Sequence, residues 1–454
     1  MKFILTPCLW LCSAITLFVG SATAQVNPVS VVEIQGRKVL IDIEFEEMSQ
    51  WQLLRNGNPY YIIGAGGETH LNELVDIGGN SIRTWGSENA QTVLDEAHKR
   101  GLTVLLGLWV QHERHGFDYN DTLAVAKQLA SFKVTIDQFK NHPALLMWGI
   151  GNEVNLSYTN PKVWNAIQDI AKYAHQSDPN HPTTTVTAGL NRAEVEYVKQ
   201  RAPDIDIFSV NTYGDIAEVP KNIGNFGWTG PYMITEWGPN GHWESPTTQW
   251  GAAIEQSSWE KASVYTERYQ KYIEPNQSHC VGSYVFLWGQ KQEYTETWYG
   301  LFTKDGHKTQ AIDALNWVWK KDSLPWATPS IQALSINKQK ANDNISLKPN
   351  SKNEAIALGQ LIQYQSTLSM HPSGFEKIKL QYEWKILKES TDKKSGGDTE
   401  KEAEQLNGLI PVSQSAKITF RAPAQPGAYR LFVRIQHNQT VAYANIPFQV
   451  LPQP

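Results

Sequence analysis

The sequence predicts a (β/α)8 TIM barrel followed by an immunoglobulin-like β-sandwich, and three observations support this. The 454 residues suit one barrel plus a second unit, since a barrel takes about 250 residues and a sandwich about 100. Between residues 60 and 320, eight short apolar runs alternate with helical stretches, as strand–helix units require. After about residue 328, apolar residues recur with period two, which is typical of half-buried strands.

The eight predicted barrel strands are short apolar runs. They cover residues 60–63, 81–85, 103–109, 144–150, 184–187, 207–210, 232–235 and 284–287. Helical spacing predicts connecting helices at residues 90–100, 123–140, 161–176, 193–201, 259–272 and 310–320. An open doubly wound sheet is the alternative fold. It usually has fewer units, and no glycine-rich dinucleotide loop follows the first strand.

The two ends of the chain differ from this pattern. Residues 1–24 predict a signal peptide, with a basic start, an apolar stretch and a small-residue cleavage site. We therefore expect an exported protein, periplasmic or secreted, with no membrane span after cleavage. Residues 25–327 are then assigned to the barrel with a short N-terminal β element, and residues 328–454 to the sandwich. A polar stretch at residues 388–404 is expected to be an exposed hairpin loop.

The composition restricts the classes of molecule that the protein is expected to bind. Lys and Arg number 40 against 45 Asp and Glu, so the basic excess that nucleic-acid binding needs is absent. Of 17 tryptophans, fifteen lie between Trp51 and Trp326. A large core uses some of them, but flat aromatic faces also suit sugar rings. We expect a carbohydrate substrate, no nucleic acid and a monomer.

Two glutamates follow predicted barrel strands. Asn152 and Glu153 close the fourth strand, and Glu236 and Trp237 close the seventh. Active sites of TIM barrels lie where the strands end, so both carboxylates are expected at one mouth. Glycosidic bond cleavage needs such a pair, one acid to protonate the leaving oxygen and one carboxylate to attack or to activate water. This chemistry requires no metal and no organic cofactor.

These motifs also carry a family resemblance. Gly-Asn-Glu at residues 151–153 and Thr-Glu-Trp-Gly at residues 235–238 resemble the signature of the clan A retaining glycoside hydrolases. Asn-Gly-Asn-Pro at residues 56–59 and Ser-Ile-Arg-Thr at residues 81–84 are similar to segments of the glycoside hydrolase family 2 barrel. The resemblance covers roughly residues 51–320.

The resemblance implies a role for six residues. In chain order, these are Arg83 keeping the nucleophile ionised, Asn152 binding the sugar 2-hydroxyl, Glu153 as general acid/base, Tyr213 hydrogen-bonding the nucleophile, Glu236 as nucleophile and Trp288 as the aromatic floor of the sugar site. Trp237 is a further candidate for sugar stacking, and His112 for binding sugar hydroxyls. A metal at His112 and His115 is disfavoured, because their spacing is three where the helical zinc motif has four.

The sequence differs from the family 2 pattern in two respects, and these differences affect which substrate we expect. Family members usually carry sandwich domains ahead of the barrel and a His-Glu pair after the first strand, where this sequence has Gly-Ala-Gly-Gly at residues 64–67. A barrel followed by one immunoglobulin-like domain is more similar to the two-domain endo-β-1,3-glucanases of the clan. We therefore expect retaining hydrolysis of a β-glucan with a β-1,3 linkage. A β-glucanosyltransferase using the same residues and a non-catalytic glycan-binding barrel are the alternatives.

Overall fold

The structure, a computed structural model, describes residues 27–41, 44–322, 324, 328–364, 370–372 and 380–452. The predicted signal peptide at residues 1–24 lies outside the described residues. Among the described residues, no helix is long and apolar enough to span a membrane.

An N-terminal antiparallel sheet closes the bottom of the barrel. Its strands are β1 (Val29–Ile41), β2 (Glu44–Arg55) and β3 (Asn58–Pro59). Val29 and Leu53 are buried in one apolar cluster with Met147 and Met233, which lie in the lower halves of barrel strands. The candidate functional site is therefore expected at the opposite end of the barrel, where the strands have their carboxyl ends.

Eight parallel strands form a closed barrel, which confirms the predicted fold class. They are β4 (Ile62–Gly66), β5 (Ser81–Arg83), β6 (Thr103–Leu108), β7 (Leu145–Asn152), β8 (Thr183–Ala188), β9 (Ile207–Asn211), β10 (Tyr232–Trp237) and β11 (Cys280–Val285). They follow one another around the barrel in chain order, and β11 pairs with β4 to close it. Buried strands of this kind are continuous apolar runs because both faces are covered.

The helices surround the barrel. They are α1 (Leu71–Asp76), α2 (Ala90–Lys99), α3 (Thr122–Phe139), α4 (Lys162–Ser177), α5 (Arg192–Arg201), α6 (Glu218–Asn222), α7 (Ser258–Arg268) and α8 (Gln310–Lys320). In α4, Trp164, Ile167 and Ala171 recur at helical spacing on the buried face. α7 begins with a capping box in which Ser257 and Glu260 satisfy each other's backbone N–H groups. The helical spacing in the sequence does not predict α1 or α6, which span only six and five residues.

The eighth barrel strand begins earlier than predicted. It runs from Cys280 to Val285, whereas the sequence pattern placed it at residues 284–287. Gly282 and Ser283 interrupt the apolar run and conceal its true start. Trp288 therefore lies three residues beyond the end of the strand.

The C-terminal residues form two packed sheets. The strands are β12 (Lys308–Thr309), β13 (Thr328–Ile336), β14 (Ser346–Leu347), β15 (Lys352–Tyr364), β16 (Met370–Pro372), β17 (Gln381–Lys388), β18 (Gln405–Leu406), β19 (Lys417–Arg421), β20 (Gly427–His437) and β21 (Thr440–Val450). One sheet has the order β12-β21-β20-β17-β18 with β14 beside β21, and the other joins β13, β15, β16 and β19. Ile331 and Phe420 of one sheet share a core with Ile386 and Phe448 of the other, as in a β-sandwich.

Barrel and sandwich are joined by buried polar contacts. Lys261 Nζ on α7 lies 2.6 Å from Glu255 Oε1, with both side chains buried. Asn445 of β21 donates to the other oxygen of Glu255 at 2.6 Å, and the hydroxyl of Tyr443 donates to the Thr297 carbonyl at 3.0 Å. β12, which precedes α8, pairs with β21. The sandwich is thus joined to the barrel through a shared sheet and through buried hydrogen bonds.

Candidate active site

The carboxyl ends of the barrel strands border a cleft of about 700 Å3. Glu153 and Glu236, which follow or end strands β7 and β10, both line it, together with Asn152 and Tyr213. The structure therefore brings together the two carboxylates that the sequence placed on separate strands.

Glu236 is surrounded by hydrogen-bond donors. Arg83 Nη1 donates to its Oε1 at 3.0 Å, and the indole Nε1 of Trp85 donates to the same oxygen at 2.8 Å. The hydroxyl of Tyr213 donates to Oε2 at 3.0 Å. Glu236 is only 5% exposed, so these three donors fix the carboxylate in one orientation.

Arg83 lies beneath the cleft and donates hydrogen bonds to several of the polar side chains there. It is buried, and it also donates to Asn211 Oδ1 at 3.3 Å and to Asn152 Oδ1 at 2.5 Å. Asn211 Nδ2 in turn donates to Glu153 Oε1 at 2.9 Å. A continuous series of hydrogen bonds, from Glu236 through Arg83 and Asn211, thus joins the two carboxylates.

Glu153 has a different environment. Burial and, after it, the charge of Glu236 raise the pKa of its carboxyl to about 7, against the lowering effect of the hydrogen bond from Asn211. The backbone at Glu153 is in the left-handed region, with φ of 52°, which non-glycine residues seldom adopt. Gly151 has φ of 76°, so the chain turns sharply at the strand end and directs the carboxyl to the cleft.

The two carboxyl groups can therefore act differently at neutral pH. Glu153 can hold a proton and donate it to a leaving oxygen, and Glu236 is held as a hydrogen-bond acceptor beside an arginine. Environments that separate the proton affinities of a carboxyl pair are what acid and nucleophile roles require. Among the described residues, no group of three or more His, Cys, Asp or Glu side chains is arranged to hold a metal ion.

Comparison with known families agrees with this arrangement. Residues 78–320 match the family described as "Glycosyl hydrolases family 2, TIM barrel domain". The chain belongs to glycoside hydrolase family 2. The matched segment contains Arg83, Asn152, Glu153, Tyr213 and Glu236, so each of the contacts above lies inside the family domain.

Curated relatives of this family 2 chain include β-glucuronidases. The chain is 25% identical to those of Felis catus and Canis lupus familiaris in alignments of 194 residues that cover 38% of this chain. It spans only 28% of the length of these relatives. Among solved structures, Faecalibacterium prausnitzii β-glucuronidase aligns with a TM-score of 0.48 and 18% identity over 66% of this chain and 57% of that one. The Thermotoga petrophila endo-β-1,4-mannanase aligns with a TM-score of 0.43 and 12% identity over 88% and 99% of the two chains.

Trp237, Trp288 and His112 of this family 2 chain, which were predicted to bind the sugar, lie outside the cleft. The two tryptophans belong to the core. Trp288 is 1% exposed and donates through its indole Nε1 to the His70 carbonyl. The ring of Trp237 is buried against Tyr265 and Tyr269, since a strand residue next to inward-facing Glu236 points outward. These two predictions are therefore corrected to core packing.

His112 is also buried rather than presented to a ligand. Its ring stacks on Trp109 at 4.8 Å and on His115 at 5.3 Å, and its Nδ1 accepts from Arg114 Nε at 3.0 Å. Burial and the nearby charges of Arg114 and His115 lower its pKa to about 4. It supports Trp109, which does line the cleft, from behind.

Several cleft residues were not assigned from sequence. Trp85 and Asn211 were given no role, although Asn211 ends β9 as Asn152 ends β7. Reading every strand end for polar side chains would have found Asn211. Phe286 and Glu293 also line the cleft, as do residues 394–397 of the sandwich, which the sequence analysis expected in an exposed loop.

Proposed function

We propose that this protein is a retaining β-glycosidase. Glu236 attacks the anomeric carbon and forms a glycosyl-enzyme, while Glu153 donates its proton to the departing glycosidic oxygen. Glu153, then ionised, takes a proton from water, which attacks the same carbon and releases Glu236. Two inversions restore the original anomeric configuration.

The observation that carries this proposal is the contrast between the two carboxyl groups. Glu236 accepts three hydrogen bonds, one of them from buried Arg83, whereas burial and the Glu236 charge favour the protonated form of Glu153. After Glu236 is esterified its charge is lost, and Glu153 becomes easier to ionise. The acid of the first step is thereby converted into the base of the second step.

For the sugar, we propose a neutral β-linked hexose. Carboxylates outnumber ammonium groups along the cleft, which disfavours a negatively charged sugar. The two lysines that line it, Lys291 and Lys394, already donate to the carbonyls of Gly397 and Thr399. β-Linked glucose with a β-1,3 linkage is the candidate that the sequence resemblance favours. The glucuronide named for the curated relatives is the competing substrate.

A panel of aryl β-glycosides tests the sugar. We expect hydrolysis of a 4-nitrophenyl β-D-hexoside, with β-D-glucoside compared directly against galactoside, mannoside and glucuronide. Early products read by NMR should keep the β configuration. Preferential cleavage of the glucuronide would refute the neutral sugar, and an α-configured first product would refute the mechanism. Longer products from a pure oligosaccharide would identify the glucanosyltransferase alternative.

Azide rescue tests the two roles separately. In Glu236→Gly, azide fills the space of the nucleophile and attacks from the opposite face, so an α-glycosyl azide should form. In Glu153→Ala, an activated dinitrophenyl glycoside still forms the glycosyl-enzyme, and azide should give the β-glycosyl azide. Glu196→Gln, at an exposed position on α5, is the matched control and should behave as the wild type. Full activity of both variants without azide would refute the two assigned roles, whereas a wild-type protein that binds glycans and cleaves none of them would be better described as a glycan-binding barrel.

A further inference from the structure

One buried carboxyl group of the cleft has no part in the proposed chemistry. Glu293 follows β11, lines the cleft and is 6% exposed. Lys291 Nζ lies 3.2 Å from its Oε2, but no donor among the described residues makes a hydrogen bond of good geometry to that oxygen. The Lys291 ammonium donates to the Gly397 carbonyl. Since a carboxylate offers about four acceptor positions, Glu293 can accept further hydrogen bonds from a ligand.

A second buried glutamate shows how a carboxyl with a purely structural role is satisfied. Glu255 pairs with Lys261 and accepts hydrogen bonds from Thr295, Thr297 and Asn445. Burial raises the pKa of Glu255, but Lys261 and the hydroxyl donors outweigh burial and hold that pKa below its usual value. Burial also raises the pKa of Glu293, and there Lys291 opposes it only in part. Buried polar groups are nearly always satisfied, so the environment of Glu293 indicates a missing partner.

The backbone around Glu293 is fixed. Its N–H donates to the Thr295 carbonyl at 3.1 Å, and the Thr295 N–H donates to the Glu293 carbonyl at 2.7 Å. The N–H of Tyr294 donates to Glu400 Oε2 of the sandwich at 2.6 Å. Both domains therefore hold the segment that presents the Glu293 carboxyl at the cleft wall.

Glu293 and Glu153 lie on opposite sides of the barrel mouth. Glu153 follows β7 and Glu293 follows β11, and three strands separate β7 from β11 in either direction around the barrel. Glu236 lies in β10, which is next to β11. Across the mouth, Glu236 is thus nearer than Glu153 to the Glu293 side.

The proposed chemistry orients the attacked sugar in this cleft. Its anomeric carbon lies between Glu153, which protonates the leaving oxygen, and Glu236, which attacks. The ring extends away from the leaving oxygen, and hence from Glu153 toward the β11 side. The hydroxyls on carbons 4 and 6 are farthest from the anomeric carbon. Of these, the 6-hydroxyl is on a rotatable exocyclic carbon and can reach a carboxyl on the wall.

We propose that the carboxylate of Glu293 accepts a hydrogen bond from the 6-hydroxyl of the attacked hexose. The same carboxylate disfavours a 6-carboxylate at this place, because two like charges would meet there. Glu293 is thereby a specificity-determining residue of the cleft. This inference rests on the proposed function, and it gives a structural reason for a neutral hexose over a glucuronide.

A 6-deoxy substrate tests the contact in the wild-type protein. The probe is the 4-nitrophenyl β-D-hexoside that the aryl-glycoside panel identifies, compared with its 6-deoxy analogue. We expect kcat/KM to be about 10- to 100-fold lower for the analogue, because it leaves a buried charged acceptor without its donor. Equal cleavage of the two substrates would refute only the assignment of Glu293, whereas cleavage of no glycoside at all would refute the proposed function.

Glu293→Ala assigns the lost contact to this side chain. In the variant, the preference for the hexoside over its 6-deoxy analogue should fall to less than about threefold, since the two removals act on one interaction. The preference over the 2-deoxy analogue should stay as in the wild type, because the 2-hydroxyl is next to the anomeric carbon. A structural role would lower all three rates equally, so an unchanged 6-deoxy preference in the folded variant would overturn the proposal.

Glu296→Ala is the matched control. Glu296 belongs to the same segment, but its carboxyl pairs with Lys385 of β17 and does not line the cleft. This variant should keep the wild-type preference for the 6-hydroxyl. Loss of that preference in Glu296→Ala as well would show that the segment, and not the Glu293 carboxyl, carries the effect.

Glu293→Gln tests the exclusion of a charged sugar. Cleavage of the glucuronide relative to the hexoside should rise about tenfold, because a like charge is removed while the size of the side chain is kept. Both rates are measured on the acidic plateau of each protein's pH profile. An unchanged ratio would contradict the proposed exclusion. If the Glu293 variants fail to fold, the 6-deoxy comparison in the wild type still decides whether the 6-hydroxyl is bound.

Discussion

The indole Nε1 of Trp85 lies 2.8 Å from Glu236 Oε1 and shares that oxygen with Arg83. Trp85 follows β5 and Glu236 lies in β10, so the contact crosses the barrel mouth. Its ring also lies within 5.5 Å of the Arg83 guanidinium. Trp85 thereby positions the carboxylate and forms part of the wall of the cleft.

Replacement of Trp85 by Phe should lower kcat/KM about 10- to 100-fold. The ring and its wall are kept, but one hydrogen bond to a charged acceptor is lost, and such bonds contribute about 1.5–3 kcal/mol. Steady-state kinetics on the preferred aryl glycoside measure the effect. Trp109→Phe is the matched control, since Trp109 lines the same cleft and stacks on His112. Equal losses in the two variants would show that ring shape, not the hydrogen bond, matters.

The barrel and the paired glutamates could be predicted because both depend on local signals. Strand runs, helical spacing and a polar residue after each strand are visible within short windows of sequence. The contact of the sandwich loop at residues 389–404 with the barrel was not predictable in this way, because Arg114 and Asp398 are 284 positions apart. A polar, glycine-containing loop is equally compatible with exposure to solvent. Trp288 was assigned wrongly for a different reason: the apolar pattern did not reveal that β11 begins at Cys280.

The activity should fall as pH rises through about 7. Burial and the charge of Glu236 raise the pKa of Glu153 to that value, and only its protonated form can assist the leaving group. Above this pH, kcat/KM should decrease about tenfold per pH unit. A pH profile measured with a poor leaving group gives the apparent pKa. With a dinitrophenyl leaving group, which departs without protonation, the alkaline decrease should disappear.

Glu293→Gln should move this alkaline decrease to lower pH. The charge of Glu293 contributes to raising the pKa of Glu153, so a neutral side chain of the same size makes Glu153 easier to ionise. The same pH profile, compared with that of the wild type, measures the displacement. An unchanged or more alkaline profile would contradict the electrostatic contribution of Glu293.

Trp288→Phe should reduce stability and leave KM unchanged. Trp288 is buried and its indole donates to the His70 carbonyl at 3.1 Å, so the smaller ring leaves a cavity and an unsatisfied acceptor costing about 1–3 kcal/mol. Thermal unfolding and Michaelis kinetics separate the two quantities. Phe286→Leu, which alters a side chain that lines the cleft, should instead raise KM. A raised KM for Trp288→Phe would restore its predicted role in the sugar site.

Lys261→Met should destabilise the joined barrel and sandwich by about 3–5 kcal/mol, because it leaves Glu255 buried without its charged partner. Glu255 still accepts hydrogen bonds from Thr295, Thr297 and Asn445, but these donors are neutral. Urea unfolding of the full chain measures the loss. Lys271→Met breaks an exposed pair with Glu267 and should change stability by less than about 1 kcal/mol. Glu255→Gln added to Lys261→Met should recover part of the loss, since no uncompensated charge then remains. A Lys261→Met protein as stable as the wild type would show that the buried Lys261–Glu255 pair makes no net contribution to stability.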